Sequence, residues 1–514
     1  MSAKVTVFDG ADCIGGNKIH LEFDGHGVLL DFGTNYKTMG LYYEEFLKPR
    51  QGRGLHDFVR MGLVPLLSCY RTEIIPSDLD MSLCRRVQVD ALMISHAHMD
   101  HMGHAGLLEW SIPFVASPIT AAVMKALRDL GAKGIEGECV YGQPRKRDDH
   151  ETRLIRSPKL KNGETLTGRD YVLTTRPSGE MCGFWEQSIL KTREIDAGSL
   201  LEPCDLGFSF QAFPVDHSVF GATAYAIDTE SGWIVYTGDL RAHGAQGKST
   251  WEFAKKAAEL EPKALLIEGT RTSRDEPGQE CSEETVRNTC LEVVEAEKGM
   301  VIADFSPRNF ERLETFAHIA EKTNRTLVIT KKDAFGLQAI QSADGVDRKR
   351  NIAVFDALKL TESSAEGAAC ATLGNELVDP LDIGENPGGY ILSFSMYDLG
   401  NLLDIGVKGG TYVYSSSEPY SEEQVIDFRR LWNWLELFGL KVRGFTMQGD
   451  SSLEPEVEEG FHASGHASTA DLLRIVERIS PEIVIPVHTE DPIPFKRLKG
   501  IEVAIPQKGI PISL

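Results

Sequence analysis

The sequence predicts an α/β protein of two or three domains, on three observations. Its 514 residues exceed what a single hydrophobic core usually organises. As far as about Leu240 the chain reads as short apolar runs bounded by turn residues, as buried strands are. From Trp251 onward, strands alternate with helical stretches, which implies a parallel sheet of doubly wound type.

In the first part, Val28 to Phe32 and Ala91 to Ile94 are the clearest strands. Strands follow at Ala264 to Ile267 and Met300 to Ala303, a helix from Arg308 to about Glu321, and a strand at Thr326 to Ile329. Thr411 to Tyr414 is a further strand, Glu422 to Leu437 a helix, and Glu482 to Val487 closes the series. Soon after it the sequence stops, so no further C-terminal domain is expected. Two stretches, about 36–89 and 133–201, are rich in charge, glycine and proline and longer than ordinary connections; they read as insertions that shape a substrate entrance.

Hydrophobic residues make up 42% and charged residues 25%, the proportions of an ordinary soluble globular chain. No apolar run approaches the roughly 18 residues a transmembrane helix needs, and Met1 to Gly10 lacks the basic-then-apolar order of a secretory signal. Nine cysteines, an odd number without a CxxC pair, argue against both a disulfide framework and a thiolate zinc site. A reduced, cytoplasmic setting and no membrane partner are expected. The formal net charge of −22 means that any nucleic-acid path must be a confined basic stripe on an acidic body.

The strongest chemical signal is Ser95-His96-Ala97-His98-Met99-Asp100-His101, directly after the apolar strand from Ala91. Three imidazoles and a carboxylate at a strand end can converge on a small volume, and imidazole nitrogen with carboxylate oxygen suits zinc. A lone histidine there would read as a satisfied core residue; the grouping reads as a ligand set.

HxHxDH is the signature of the metallo-β-lactamase superfamily, and the chain resembles that superfamily in order. Asp31, in Leu29-Leu30-Asp31-Phe32-Gly33, matches the early aspartate that supports the site from behind the ligands. His217, in Pro214-Val215-Asp216-His217-Ser218, matches the third histidine ligand, and Asp239, in Thr237-Gly238-Asp239-Leu240, the bridging carboxylate. Taken singly, both are weak signals, since a strand-end aspartate after glycine more often reads as a turn residue. The resemblance implies two zinc ions per chain, one on His96, His98, His217 and Asp239, the other on Asp100, His101 and Asp239, with His488 in the ligand set. His104 and His243, just beyond these motifs, stay open between supporting the ligands and mere packing.

A second block, Gly460-Phe461-His462-Ala463-Ser464-Gly465-His466-Ala467-Ser468, precedes Pro486-Val487-His488-Thr489-Glu490. The pair resembles the β-CASP branch of the superfamily, and within it ribonuclease J, with Glu268, His466 and His488 at the three conserved motif positions. The implied fold is a metallo-β-lactamase αββα sandwich with an inserted β-CASP doubly wound parallel-sheet domain. Its expected bounds are 1–250 for the first part of the sandwich, 251–418 for the insertion and 419–514 for the second part. One family feature, a Gly-Ser-Gln-Gly stretch, has no counterpart at Ile391 to Tyr397.

Ser468 and Asp471 form an S-x-x-D helix start, so His462, Ser464 and His466 stand just before a helix N-terminus and are expected to surround a substrate phosphate. A bare capping role is the plainer reading of the same residues. The resemblance implies cleavage of single-stranded RNA to 5′-phosphate products, by a 5′-to-3′ exonuclease, an endonuclease or both, with Asp100, Asp239, His466 and Glu268 as catalytic groups and a homodimer left open. The rival readings are a β-CASP nuclease acting on DNA, a small-molecule metallo-hydrolase, and a catalytically inactive RNA-processing scaffold.

Overall fold

The structure, a computed structural model, describes residues 2–44, 46–131, 134–157, 165–186, 198–273, 281–360, 367, 377–418, 422–448 and 454–514. Two mixed sheets face each other. The eight-stranded sheet has at its centre the strands His26–Phe32, Ala91–Met93, Phe114–Ala116 and Tyr171–Leu173, paired in parallel in that order. In the six-stranded sheet, Ile234–Tyr236, Ala264–Glu268 and Ile483–Val487 run parallel.

Strand periodicity sends alternate residues to opposite faces. Val28, Leu30, Ala91 and Met93 therefore turn inward to meet Tyr225, Ile234, Tyr236, Leu266 and Ile485 in the layer between the sheets. Leu29 and Leu92 turn outward to the helix Pro118–Asp129, joining Ala121, Ala122 and Val123, and Phe32 joins them because left-handed backbone at Asp31 breaks the alternation. On the far side Leu265, Ile267 and Val484 pack against the helices Gly247–Ala258 and Thr469–Ile479. The result is helix on sheet on sheet on helix, as expected.

Between Ala264–Glu268 and Ile483–Val487 the chain builds a third sheet of seven strands, with every pairing parallel. Its bounds differ from the expected 251–418. Strand Ala264–Glu268 pairs within the six-stranded sheet, and the helix Gly247–Ala258 packs beneath that sheet. The seven-stranded sheet begins instead at Val301–Asp304 and continues to Lys441–Arg443, which pairs with Thr411–Tyr414. Strand and helix alternation begins before the insertion does, so local pattern misplaces the border. The stretch 133–201 is also more than an insertion. Tyr171–Leu173 and Leu200–Leu201 extend the eight-stranded sheet, whereas the described part of 36–89 holds short helices and turns without a sheet strand.

The two lobes share one continuous apolar cluster, with Phe184 of the first lobe against Phe335 of the second. A buried charge network also joins them. Arg241, two residues past Asp239, is bound to Asp216, Glu283 and Glu311, and Arg312 is bound to Glu283 and to the carbonyls of Ser415 and Phe461. Among the described residues no helix is long and apolar enough to cross a membrane.

Candidate metal centre

The candidate ligands stand at or just past the carboxyl ends of strands that run side by side, which brings positions hundreds of residues apart to one edge. Asp31 follows Leu30 in its strand, His96 follows Ala91–Met93, Asp239 follows Ile234–Tyr236, and His488 follows Ile483–Val487. Asp31 and His488 hold left-handed backbone, φ 58° and 54°, in which non-glycine residues carry strain. Two glycines make room. A Cβ at Gly33 would lie 1.7 Å from the Asp100 carbonyl oxygen, and one at Gly238 would lie 2.4 Å from Cβ of Ser95.

Two donor groups meet at Asp239. On one side, His98 Nδ1 lies 3.0 Å from His96 Nε2 and 3.1 Å from His217 Nε2. Tetrahedral zinc with nitrogen ligands at 2.0–2.1 Å would set such nitrogens about 3.3 Å apart. On the other side stand Asp100, His101 and His488, with His488 Nε2 3.4 Å from Asp100 and 3.7 Å from Asp239. Asp239 Oδ2 is 3.0 Å from His101 Nε2, 3.7 Å from His96 Nε2 and 3.9 Å from His217 Nε2. Both Asp239 oxygens and His101 Nε2 are buried and aligned with no hydrogen-bond partner. A cluster of lone pairs this close, left unsatisfied, is costly unless a cation completes it, so the donors fit divalent metal.

The electrostatics divide in the same way. Burial, then the neighbouring imidazoles, hold His96 and His217 well below the usual histidine range, and burial chiefly brings His98 to about 3. These rings are neutral, as ligands must be. Burial opposes charge on His101, Asp100 and Asp239 as well. Asp239 nevertheless draws His101 upward, and His101 draws both carboxylates down. Without metal, a proton on His101 faces ionised Asp239, and metal binding displaces it.

Ring orientation comes from behind. The buried Asp31 carboxylate accepts from Ser95 N–H, Ser95 Oγ, His101 Nδ1 and Tyr236 OH, each at 2.7 Å. Ser95 Oγ in turn lies 3.0 Å from His96 Nδ1. One carboxylate therefore fixes two ligand rings with Nε2 forward. His217 Nδ1 donates to the Gly465 carbonyl at 2.5 Å, and His488 Nδ1 lies 2.9 Å from Thr270 Oγ1. The supporting roles of Ser95, Tyr236 and Thr270 were not foreseen.

His466 joins His217 and Asp239 in a third possible donor group. Its Nδ1 donates to Glu268, 3.1 Å from Oε1. Against burial, Glu268 first and Asp239 second raise His466 to about 9. Glu268 was expected among the catalytic groups, but it is 1% exposed and its oxygens also accept from Leu240 N–H at 2.9 Å and Thr270 N–H at 3.1 Å. These contacts are those of a group that orients His466.

The block before the last helix is a folded support. Ser464 Oγ accepts from His466 N–H at 3.1 Å, and the Ser464 carbonyl lies 2.9 Å from His243 Nε2. Ser468 accepts from Asp471 N–H, so the foreseen helix cap is present. His462 lies beside the charge network, held at about 3 by burial and then Arg312, with its Nδ1 unpaired. His243 thus supports the block, whereas His104 packs edge-on against Phe58.

Comparison with known proteins agrees with this geometry. Residues 452–493 match the Zn-dependent metallo-hydrolase RNA specificity domain. Ribonuclease J of Pyrococcus abyssi is 21% identical over 502 residues, covering 95% of this chain and 90% of that protein. Ribonuclease J of Mycoplasma genitalium is 21% identical, with 99% and 70% covered, and that of Helicobacter pylori 26695 is 19% identical, with 99% and 59% covered. A crystal structure of a protein of unknown function from Enterococcus faecalis V583 superposes with a TM-score of 0.69 at 21% identity, covering 100% of both chains, and shares the fold. This chain is a ribonuclease J-like, metal-dependent hydrolase of metallo-β-lactamase fold with a β-CASP insertion.

Proposed function

We propose that this chain hydrolyses phosphodiester bonds of single-stranded RNA with two zinc ions, leaving a 5′-phosphate and a 3′-hydroxyl, as a 5′-to-3′ exonuclease, an endonuclease or both. The observation that carries the reading is Asp239, whose buried oxygens lack an aligned hydrogen bond and lie between two converging donor groups. His96, His98, His217 and Asp239 would hold one ion, and Asp100, His101, Asp239 and His488 the other. Divalent ions bound there supply Lewis acidity and acidify water. The likeness to ribonuclease J and to the RNA specificity domain supports RNA as the polymer.

The chain's own residues orient the reactants and carry protons. With its Nδ1–H held by Glu268, His466 keeps a proton on Nε2 at neutral pH, and it is 23% exposed at the side chain. It can donate to a phosphate oxygen as charge grows there and hand its proton to the leaving 3′ oxygen. Asp100, 25% exposed, is the carboxylate of the centre open to solvent and relays protons outward. Ser464 and His462 shape the phosphate pocket around His466. Cys13, Cys69, Cys84, Cys139, Cys182, Cys281 and Cys290 are free thiols, in keeping with a cytoplasmic, reducing setting.

The test combines elemental analysis with cleavage of 5′-labelled RNA and of DNA of the same sequence. About two zinc equivalents per chain and cleavage of RNA are expected. Protein that takes up no transition metal on reconstitution, or a metal-replete enzyme that cuts only DNA, overturns the reading.

A further inference from the structure

The inserted sheet reaches the metal centre through one loop. Strand Val301–Asp304 ends there, and residues 305–309 lead into the helix Phe310–Lys322. Ligands in open parallel sheets bind beyond the carboxyl ends of the strands. From this loop Arg308 reaches across to the first lobe, and its Nη1 donates to the Ala97 carbonyl at 3.2 Å. Ala97 lies between His96 and His98, so a half-buried guanidinium from the second lobe stands over the ligand loop of the first.

Arg308 differs from the other arginines that join parts of this fold. Arg71, Arg241 and Arg312 are each neutralised by a carboxylate, Glu138, Glu311 and Glu283 respectively. Among the described residues no carboxylate lies within ion-pair reach of Arg308, and the Ala97 bond uses one of its five donors. The edge of the centre therefore carries a half-buried planar cation with unused donors.

We propose that Arg308 binds a phosphate of the polynucleotide substrate beside the metal centre, coupling the inserted domain to the bond that is cut. A guanidinium pairs with phosphate through two parallel N–H···O bonds, and four unused donors at the edge of the centre suit that pairing. The proposal rests on the phosphodiester reading above. On an acidic chain it also gives the substrate path one defined cationic contact where the reaction occurs.

The test measures binding by the full metal-loaded protein, using fluorescently labelled, phosphorothioate-protected single-stranded RNA and DNA of one sequence. Dissociation constants are taken across a range of salt concentrations, for wild type, Arg308→Met and Arg308→Lys. Losing one phosphate contact should reduce the slope of log affinity against log salt by about 0.7 on a single strand. At low salt it should weaken binding about tenfold. Arg308→Lys should restore the slope, since the charge returns, but not the full affinity. An unchanged slope for Arg308→Met on both polymers overturns the proposal. If metal content falls while the slope holds, the proposal is equally overturned, and Arg308 is then a prop for the ligand loop. A slope that falls on DNA alone supports the Arg308 contact and overturns RNA as the substrate. Wild-type protein that binds neither polymer overturns both.

Discussion

Asp31→Asn tests whether one buried carboxylate sets the geometry of the metal centre. The substitution keeps size and shape, and asparagine is among the few residues that tolerate the left-handed backbone held here, φ 58°, so little backbone strain is added. What changes is the charge and one acceptor. Four donors converge on Asp31, each at 2.7 Å. A bond to an ionised acceptor is roughly twice as strong as a neutral one, so about 1 kcal/mol is lost per bond. Four independent bonds would give about 4 kcal/mol, and coupling within one network lowers that to about 2–4 kcal/mol of folding stability. If the amide nitrogen takes the place of Oδ2, the His101 Nδ1–H also faces a donor, and the proton is driven to Nε2, the nitrogen that must be bare to bind metal. Loss of such a partner typically costs 10–100-fold in metal affinity, about 1.4–2.7 kcal/mol. Zinc titration against a competing chelator, with urea unfolding of the metal-free protein alongside, reads both quantities. Wild-type zinc affinity in Asp31→Asn would refute the assignment of Asp31 as the group that orients His101 and His96.

Three further outcomes are expected. Asp239→Ala should abolish cleavage and lower bound metal below about two equivalents while far-ultraviolet circular dichroism stays unchanged; near-normal turnover would place the bridging group elsewhere. Glu268→Gln removes the main upward pull on His466. The wild-type charge on that ring contributes stability that is complete below about 6.5 and is lost as pH rises through about 9. In the variant that window should contract toward neutrality, and the basic limb of the pH–rate profile should move down by a unit or more; coincident profiles would contradict it. Arg312→Met breaks the fully buried pair with Glu283 and should destabilise the chain by about 3–5 kcal/mol in urea unfolding, whereas a loss under about 1 kcal/mol would mean the network is idle.

Much of this centre was legible in the sequence because strand ends are local features. The run from Ser95 to His101 follows an apolar strand and supplies ligands to both donor groups, and Asp31, His217, Asp239, His466 and His488 stand in short motifs that become readable once taken in order with that run. The helix capped by Ser468 was equally plain, because N-cap chemistry depends on the next three residues alone. The border of the insertion was not. Whether Ala264–Glu268 belongs to one sheet or another depends on its partner Ile483–Val487, over two hundred positions away, and no local pattern encodes that choice.

Side-chain roles divide along the same line. The sequence determined which residue types could bind metal, since donor chemistry belongs to the residue. Only the tertiary structure decided which atoms meet. It placed the Tyr236 hydroxyl on Asp31, turned Glu268 inward to hold His466, and brought Arg308 to the Ala97 carbonyl 211 positions away. Each is a single hydrogen bond between groups that are ordinary in composition, and its direction is set by the packing of whole sheets. A motif can announce the ligands, but their orientation, protonation and neighbours exist only once the chain has closed on itself.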